Sequence, residues 1–143
     1  MQLKMRSEPG QPVSMGTTPH GADEPPPRDL RARTYRYARR VIRLFRALPN
    51  DDVARILGRQ LLRSGASVGA NYREAARARS KAEFIAKIGD CLKEVDESDY
   101  WAGLITDESV LPPARMMPFR QETCELIAIF TASLNTAKAR SDR

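Results

Sequence analysis

Apolar residues recur at helical spacing in four successive blocks, separated by short polar or proline-containing breaks. In the first block, residues 30–48, Tyr37, Ala38, Val41, Leu44, Phe45 and Leu48 step by threes and fours and define one buried stripe. In the second, which follows Pro49 and Asn50 and runs to about residue 78, the stripe is Leu57, Leu61, Ser64, Val68 and Ala75. The third, residues 81–106, carries Phe84, Ile88, Cys91, Leu92, Val95 and Ala102. The fourth follows a turn over residues 107–113 and carries Met116, Phe119, Thr123, Leu126, Ile127, Phe130, Leu134 and Ala137. Breaks this short make sequential helices antiparallel neighbours. The pattern therefore predicts an all-α, antiparallel up-down four-helix bundle over residues 31–140.

Local signals mark the boundaries. Asn50 is a candidate N-cap, with Asp51 and Asp52 where the helix dipole favours negative charge. Ser80-Lys-Ala-Glu83 reads as a capping box whose two side chains satisfy exposed amides reciprocally. Pro112 or Pro113 suits a first helical turn, while Pro118 must either begin its helix or kink it. The second helix is unusual in having Ser64, Gly65, Ala66, Ser67, Gly69 and Ala70 nearly all small. Each glycine costs about 1 kcal/mol against alanine in a helix. A helix that tolerates this has a neighbour that comes close.

Residues 1–30 are rich in Pro, Gly, Ser and Thr with almost no large apolar side chains, so they are predicted to be a disordered N-terminal tail. That stretch lacks the apolar segment of a standard export signal. No run approaches the ~18 consecutive apolar residues of a membrane span. A cytoplasmic protein with no membrane partner is expected. The roughly 110 residues left for folding suit one modest core that gains from self-association. Cys91 and Cys124 both fall on apolar helical positions and are expected to fill core space as reduced thiols, or to pair as a disulfide if their helices are neighbours.

Charge adds a second pattern. Net charge is +6, and eight arginines lie between residues 28 and 46, where no acid occurs between Leu30 and Asn50. Exposed helices ordinarily mix signs at four-residue spacing. Arg36, Arg39, Arg40, Arg43 and Arg46 thus form either a solvated face, a phosphate-binding face suited to bidentate guanidinium donors, or a contact to the acidic surface of another subunit. Aromatic residues make up only 6% of the chain and none is expected to interleave with the helix-one arginines as a stacking platform, so base stacking has weak support. On the second helix Arg63, Ser67, Asn71 and Glu74 share one stripe at 100° per residue. On the third, Asp90, Glu94, Glu97, Trp101 and Leu104 share another. Two readings of these stripes stand. In one, they form a polar network between helices, with Arg63 bridging to Glu94 or Glu97 and Asn71 fixing register. In the other, the same groups form a subunit interface or ligand pocket.

The segments QLLRSGASVGANYREA and SKAEFIAKIGDCLKEVDESDYW resemble the four-helix-bundle family whose founding members are encoded in intervening sequences of bacterial 23S ribosomal RNA genes. In that pattern Arg, Ser, Asn and Glu stand at Arg63, Ser67, Asn71 and Glu74, and two Glu with Tyr-Trp stand at Glu94, Glu97, Tyr100 and Trp101. The resemblance implies a small, non-catalytic bacterial protein that forms a ring-shaped homopentamer. Its relatives include basic accessory proteins of diversity-generating retroelements, which bind nucleic acid and partner a reverse transcriptase.

Catalysis finds little footing. The only histidine, His20, lies in the tail, so no serine or cysteine nucleophile has a histidine base. No zinc-ligand spacing, phosphate-binding glycine loop or Glu-x-x-His pair is present. No cofactor and no metal are expected. Two functions from different classes remain: an oligomer that binds RNA or DNA phosphates without base specificity through its first helix, and an assembly adaptor that contacts itself and a protein partner.

Overall fold

The computed structural model describes residues 29–142, which form four helices: α1 (Leu30–Ala47), α2 (Asp52–Ala76), α3 (Lys81–Asp107) and α4 (Pro113–Ser141). His20 and all but the last two residues of the expected tail lie outside the described residues, and Leu30 is already helical. Asp29 caps α1, its Oδ1 accepting from Arg31 N at 2.9 Å. The cap of α2 is Asp51 rather than Asn50, and Asp51 Oδ1 accepts from Ala54 N at 2.9 Å. Ser80 caps α3 as expected, but Glu83 reaches past it: Glu83 Oε2 accepts from Arg79 N at 3.0 Å. The end of α3 is a Schellman turn, with Val110 N donating to Ile105 O and Ser109 N to Thr106 O. Ser109 takes the left-handed conformation, φ 53°, that glycine usually supplies there. Helix α4 begins at Pro113 and runs through Pro118. The amide missing there belongs to an exposed turn, where water can take the freed carbonyl.

The helices pack in chain order. Helix α2 lies against α1 and α3, α3 also against α4, and α1 meets α4 least closely. Along α1 and α2, Leu48 and Phe45 face Gly58, Val41 faces Gly65 and Thr34 faces Gly69, so the two helices run in opposite directions. Between α2 and α3, Arg63 meets Glu97, Ser64 meets Ser98 and Glu74 meets Lys87, again in opposite directions.

Small side chains set the α1–α2 distance. A Cβ on Gly65 would lie 2.5 Å from Val41 Cγ2, and one on Gly58 would lie 2.3 Å from Leu48 Cδ1. Gly89, by contrast, has nothing within 4 Å of such an atom. Two substitutions of the same kind should therefore differ in sign. Gly89→Ala gains helix propensity and should stabilise the fold by about 0.5–1 kcal/mol. In Gly65→Ala the same gain is outweighed by an overpacking cost of about 1–3 kcal/mol, giving a net loss. Urea melts of both variants measure this. A Gly65→Ala protein as stable as Gly89→Ala would mean that α1 does not press on α2.

The core holds Tyr37, Val41, Leu61, Val68, Ile88, Val95, Phe119, Leu126 and Phe130, all buried. The expected stripes supply most of it, with Leu57, Phe84, Leu92, Ile127 and Leu134 half-buried at its edge. Cys91 is buried, its Sγ 3.6 Å from Val68 O, and burial pushes its thiol up to about 12. Cys124 corrects the expectation of two core cysteines. It is exposed, because its neighbour Thr123 takes the inward position, and both thiols are free.

The wide α1–α4 side is closed by long side chains. Tyr37 stacks on Phe119 with ring centroids 4.8 Å apart. Thr123 Oγ1 donates to Phe119 O at 2.9 Å, which leaves the Tyr37 hydroxyl to donate to Thr123 Oγ1 at 2.8 Å. Burial holds the Tyr37 phenol well above its usual range, so it stays neutral. Arg33 completes the closure with Nε 2.7 Å from Glu122 Oε1 and Nη2 2.7 Å from Glu125 Oε2.

Candidate nucleic-acid interface and interhelical network

The arginines of α1 divide by depth. Arg39 and Arg46 are exposed, whereas Arg36, Arg40 and Arg43 are half-buried with their stems along the helix flank. Among the described residues no carboxylate stands at ion-pair distance from Arg39, Arg40, Arg43 or Arg46. Burial, followed by the like charge of Arg36, lowers the affinity of Arg40 for its proton, and Arg43 adds to the repulsion. Guanidinium groups retain their charge under such pressure. The outcome is a concentration of positive charge on α1 that Glu122 opposes only in part at Arg40.

The α2–α3 seam is organised around Arg63. Its Nη2 pairs with Glu97 Oε1 and its Nη1 lies 3.7 Å from Glu94 Oε2, while Gln60 Oε1 accepts from Nε at 3.4 Å. Trp101 Nε1 donates to the same Glu97 Oε1 at 3.3 Å, and the Trp101 ring stands edge-on to Tyr100. Arg63, Glu94, Glu97 and Trp101 are thus brought together. Ser67, Asn71 and Glu74 are not. Ser67 Oγ donates to Arg63 O at 2.6 Å and Asn71 Nδ2 donates to Ser67 O at 3.0 Å, so both satisfy their own helix rather than crossing to α3. Glu74 instead pairs with Lys87 at 2.6 Å. The buried polar link between α2 and α3 is a pair the sequence reading assigned to no network, Ser64 and Ser98, with hydroxyls 2.8 Å apart.

Glu94 is the least satisfied member. Its Oε2 is buried without a hydrogen-bond partner, since 3.7 Å to Arg63 is ion-pair but not hydrogen-bond distance. Burial first, and then the neighbouring Glu97, raise its carboxyl above the usual range, against the pull of Arg63 and Lys93. A carboxyl whose folded pKa is raised costs stability once ionised, and the cost vanishes below its unfolded pKa of roughly 4.3. Glu94→Gln should therefore raise the thermal midpoint modestly at pH 7, with the gain shrinking towards zero by pH 4. Melting curves across that range test it, and a variant less stable than the parent at pH 7 would show that the Arg63 contact outweighs the burial.

Two features lay outside the sequence reading. Arg33 makes the α1–α4 ion pairs, and 89 residues separate it from Glu122, so no local spacing signals the contact. Tyr35 stands among the α1 arginines, 57% exposed, with the Arg73 guanidinium carbon 5.8 Å from its ring centroid. This corrects the expectation that no aromatic ring interleaves with the α1 arginines; the position of Tyr35 in the sequence, between Arg33 and Arg36, was the available signal.

Fold and seam together define an all-α four-helix protein with a basic outer helix and a polar strip along one helix pair. Residues 29–132 match the model of the 23S rRNA-intervening sequence protein family, and the chain belongs to that family. Among solved structures it is similar to a protein of unknown function from the S23 ribosomal protein family of Bacteroides thetaiotaomicron. The two share 29% identity and a TM-score of 0.70, over 74% of this chain and 98% of the other. No curated protein matches it. Among the described residues no helix is long and apolar enough to cross a membrane, and no three His, Cys, Asp or Glu side chains group as a metal site.

Proposed function

We propose that this protein is a non-enzymatic homo-oligomer that binds RNA or DNA phosphates, without base specificity, through the arginines of α1. The observation that carries the reading is the set Arg39, Arg40, Arg43 and Arg46, none with a carboxylate at ion-pair distance among the described residues. Arg33, Arg55, Arg63 and Lys87, by contrast, each have one or two acids at that distance. Four unneutralised guanidiniums on one helix match a polyanion, because each phosphate contact releases a condensed counterion and so draws free energy from dilution. Membership in a family named for a ribosomal RNA insertion agrees with an RNA partner, and self-association would multiply the basic face around a ring.

The test is binding of a labelled duplex and a structured RNA across a salt series, with mass measured by light scattering in the same buffers. A stable oligomer whose log affinity falls steeply with log salt supports the reading. An oligomer that binds neither nucleic acid near 0.15 M salt overturns it in favour of the second reading, an assembly adaptor whose partner is a protein. That reading is favoured by the exposure of large apolar side chains on α2 and α3: Val53 is 56%, Ile56 61% and Tyr100 61% exposed.

A further inference from the structure

The exposed edge of α1 is not uniformly basic. Arg31, Tyr35, Arg39, Ile42 and Arg46 are all exposed and step by fours and threes, so a phenol ring stands within the line of guanidiniums. Beside that ring, where the start of α1 passes the last turns of α2, lies a surface hollow of about 240 Å³ lined by Asp29, Arg31, Ala32, Tyr35 and Arg73. Ala32, one turn before Tyr35, is small and leaves the space open. Arg73 has no carboxylate at ion-pair distance among the described residues, and its guanidinium is held at the Tyr35 ring instead. A hollow slightly below the roughly 300 Å³ floor of drug-sized pockets suits one small planar group. The lining offers that group an aromatic surface, two positive charges for an attached phosphate, and the second oxygen of the Asp29 carboxylate, whose Oδ1 caps α1.

We infer that this hollow receives a single unpaired base of a nucleic-acid strand, stacked at Tyr35, with its phosphate held between Arg31 and Arg73 and the adjoining strand running along α1 towards Arg39 and Arg46. The inference rests on the phosphate-binding reading and deepens it: the same basic face would prefer single strands or loops to duplex. A base locked in a helix cannot enter the hollow, whereas an extruded base presents both its face and its edge. Arg39 stands about 12 Å along the helix from Arg31, close enough for the next phosphates of one strand. Asp29 adds an acceptor that matches the exocyclic amino group of adenine, cytosine or guanine.

The experiment compares a labelled single strand of twelve nucleotides with a duplex of the same length on the full-length protein and on Tyr35→Ala, Tyr35→Phe and Arg73→Gln. Tyr35→Ala should weaken single-strand binding by roughly 5- to 150-fold, the range of one lost base–aromatic stack, and leave duplex binding unchanged. Tyr35→Phe should retain the preference, because the ring and not the hydroxyl carries it. Arg73→Gln should weaken single-strand binding too. A nucleoside monophosphate should compete for the site better than ribose 5-phosphate. Equal competition by the two would make the hollow a phosphate site only and overturn the stacking. Tyr35→Ala binding both substrates like the parent overturns the inference while leaving the general phosphate face intact. If Tyr35→Ala changes the oligomeric mass, the hollow is a subunit contact and the inference falls. If the parent binds no nucleic acid of either kind, both readings fall together.

Discussion

Tyr37→Ala should be among the most damaging single substitutions in this protein, lowering its stability by about 3–5 kcal/mol, the range for emptying a buried aromatic site. A domain of this size has about 5–15 kcal/mol to lose, so the variant should be partly unfolded near 37 °C. The reason lies in the geometry of the α1–α4 side. These helices come least close of the four adjacent pairs, so side chains carry most of the packing there. Tyr37 fills that space, stacked on Phe119 and bonded to Thr123. Deletion removes the stack, opens a cavity on the wide side and leaves Arg33 with its partners on a mobile frame. Tyr37→Phe keeps the ring and should cost only about 1 kcal/mol, because Thr123 retains its bond to Phe119 O. Chemical denaturation of both variants separates the two contributions. A Tyr37→Ala loss below about 1.5 kcal/mol would mean that α4 moves in to fill the gap and that the wide side is not held open by packing.

The second large effect concerns binding. Replacing Arg39, Arg40, Arg43 and Arg46 together by Gln should flatten the salt dependence of nucleic-acid binding, reducing the log-log slope by about 3–4 units. Between 50 and 200 mM salt the parent should then lose about 100-fold more affinity than the variant does. Weakening should be the same for all sequences, because phosphates carry no base information. The substitution should not harm the fold. Arg36 and Arg43 both repel Arg40, which offsets its attraction to Glu122, and Arg33, which does hold α1 to α4, is left in place. An unchanged slope would remove α1 as the binding face. A lost slope accompanied by a lower melting point would instead point to a structural role for these residues.

The four helices were legible along the chain because burying one stripe of a helix imposes a 3.6-residue period on whatever sequence forms it. Tyr37, Val41, Leu61, Val68, Ile88, Val95, Leu126 and Phe130 declare themselves in this way. So does the close approach at Gly65, which sits in a run of small residues that lets a neighbouring helix come near, whereas the lone Gly89 in α3 has no such neighbour. The reach of Arg63 towards Glu94 and Glu97 was legible for a related reason: the two stripes lie on helices joined by a short turn, so their facing is nearly fixed by connectivity. Asn71 marks the limit of such reasoning. Periodicity puts it on the Arg63 stripe, but whether an amide turns to its own backbone or across to a neighbour depends on a side-chain torsion that costs little either way.

What the sequence by itself determined is the fold class, the family, the bounds of the helices to within a residue or two, and the run of positive charge on α1. These are properties of single helices or of adjacent pairs. The tertiary structure alone decided how the first and last helices meet. Arg33 with Glu122 and Glu125, and Tyr37 with Phe119 and Thr123, join residues more than 80 positions apart, through side chains that span a gap whose width no local pattern encodes. It also decided which thiol is buried and which arginines are neutralised. Both depend on a few degrees of helix rotation and on which carboxylate a neighbouring helix happens to present. The α1 arginines look alike in sequence; Arg33 became a structural clamp and Arg39 a free charge only because α4 carries Glu122 and Glu125 opposite one and not the other.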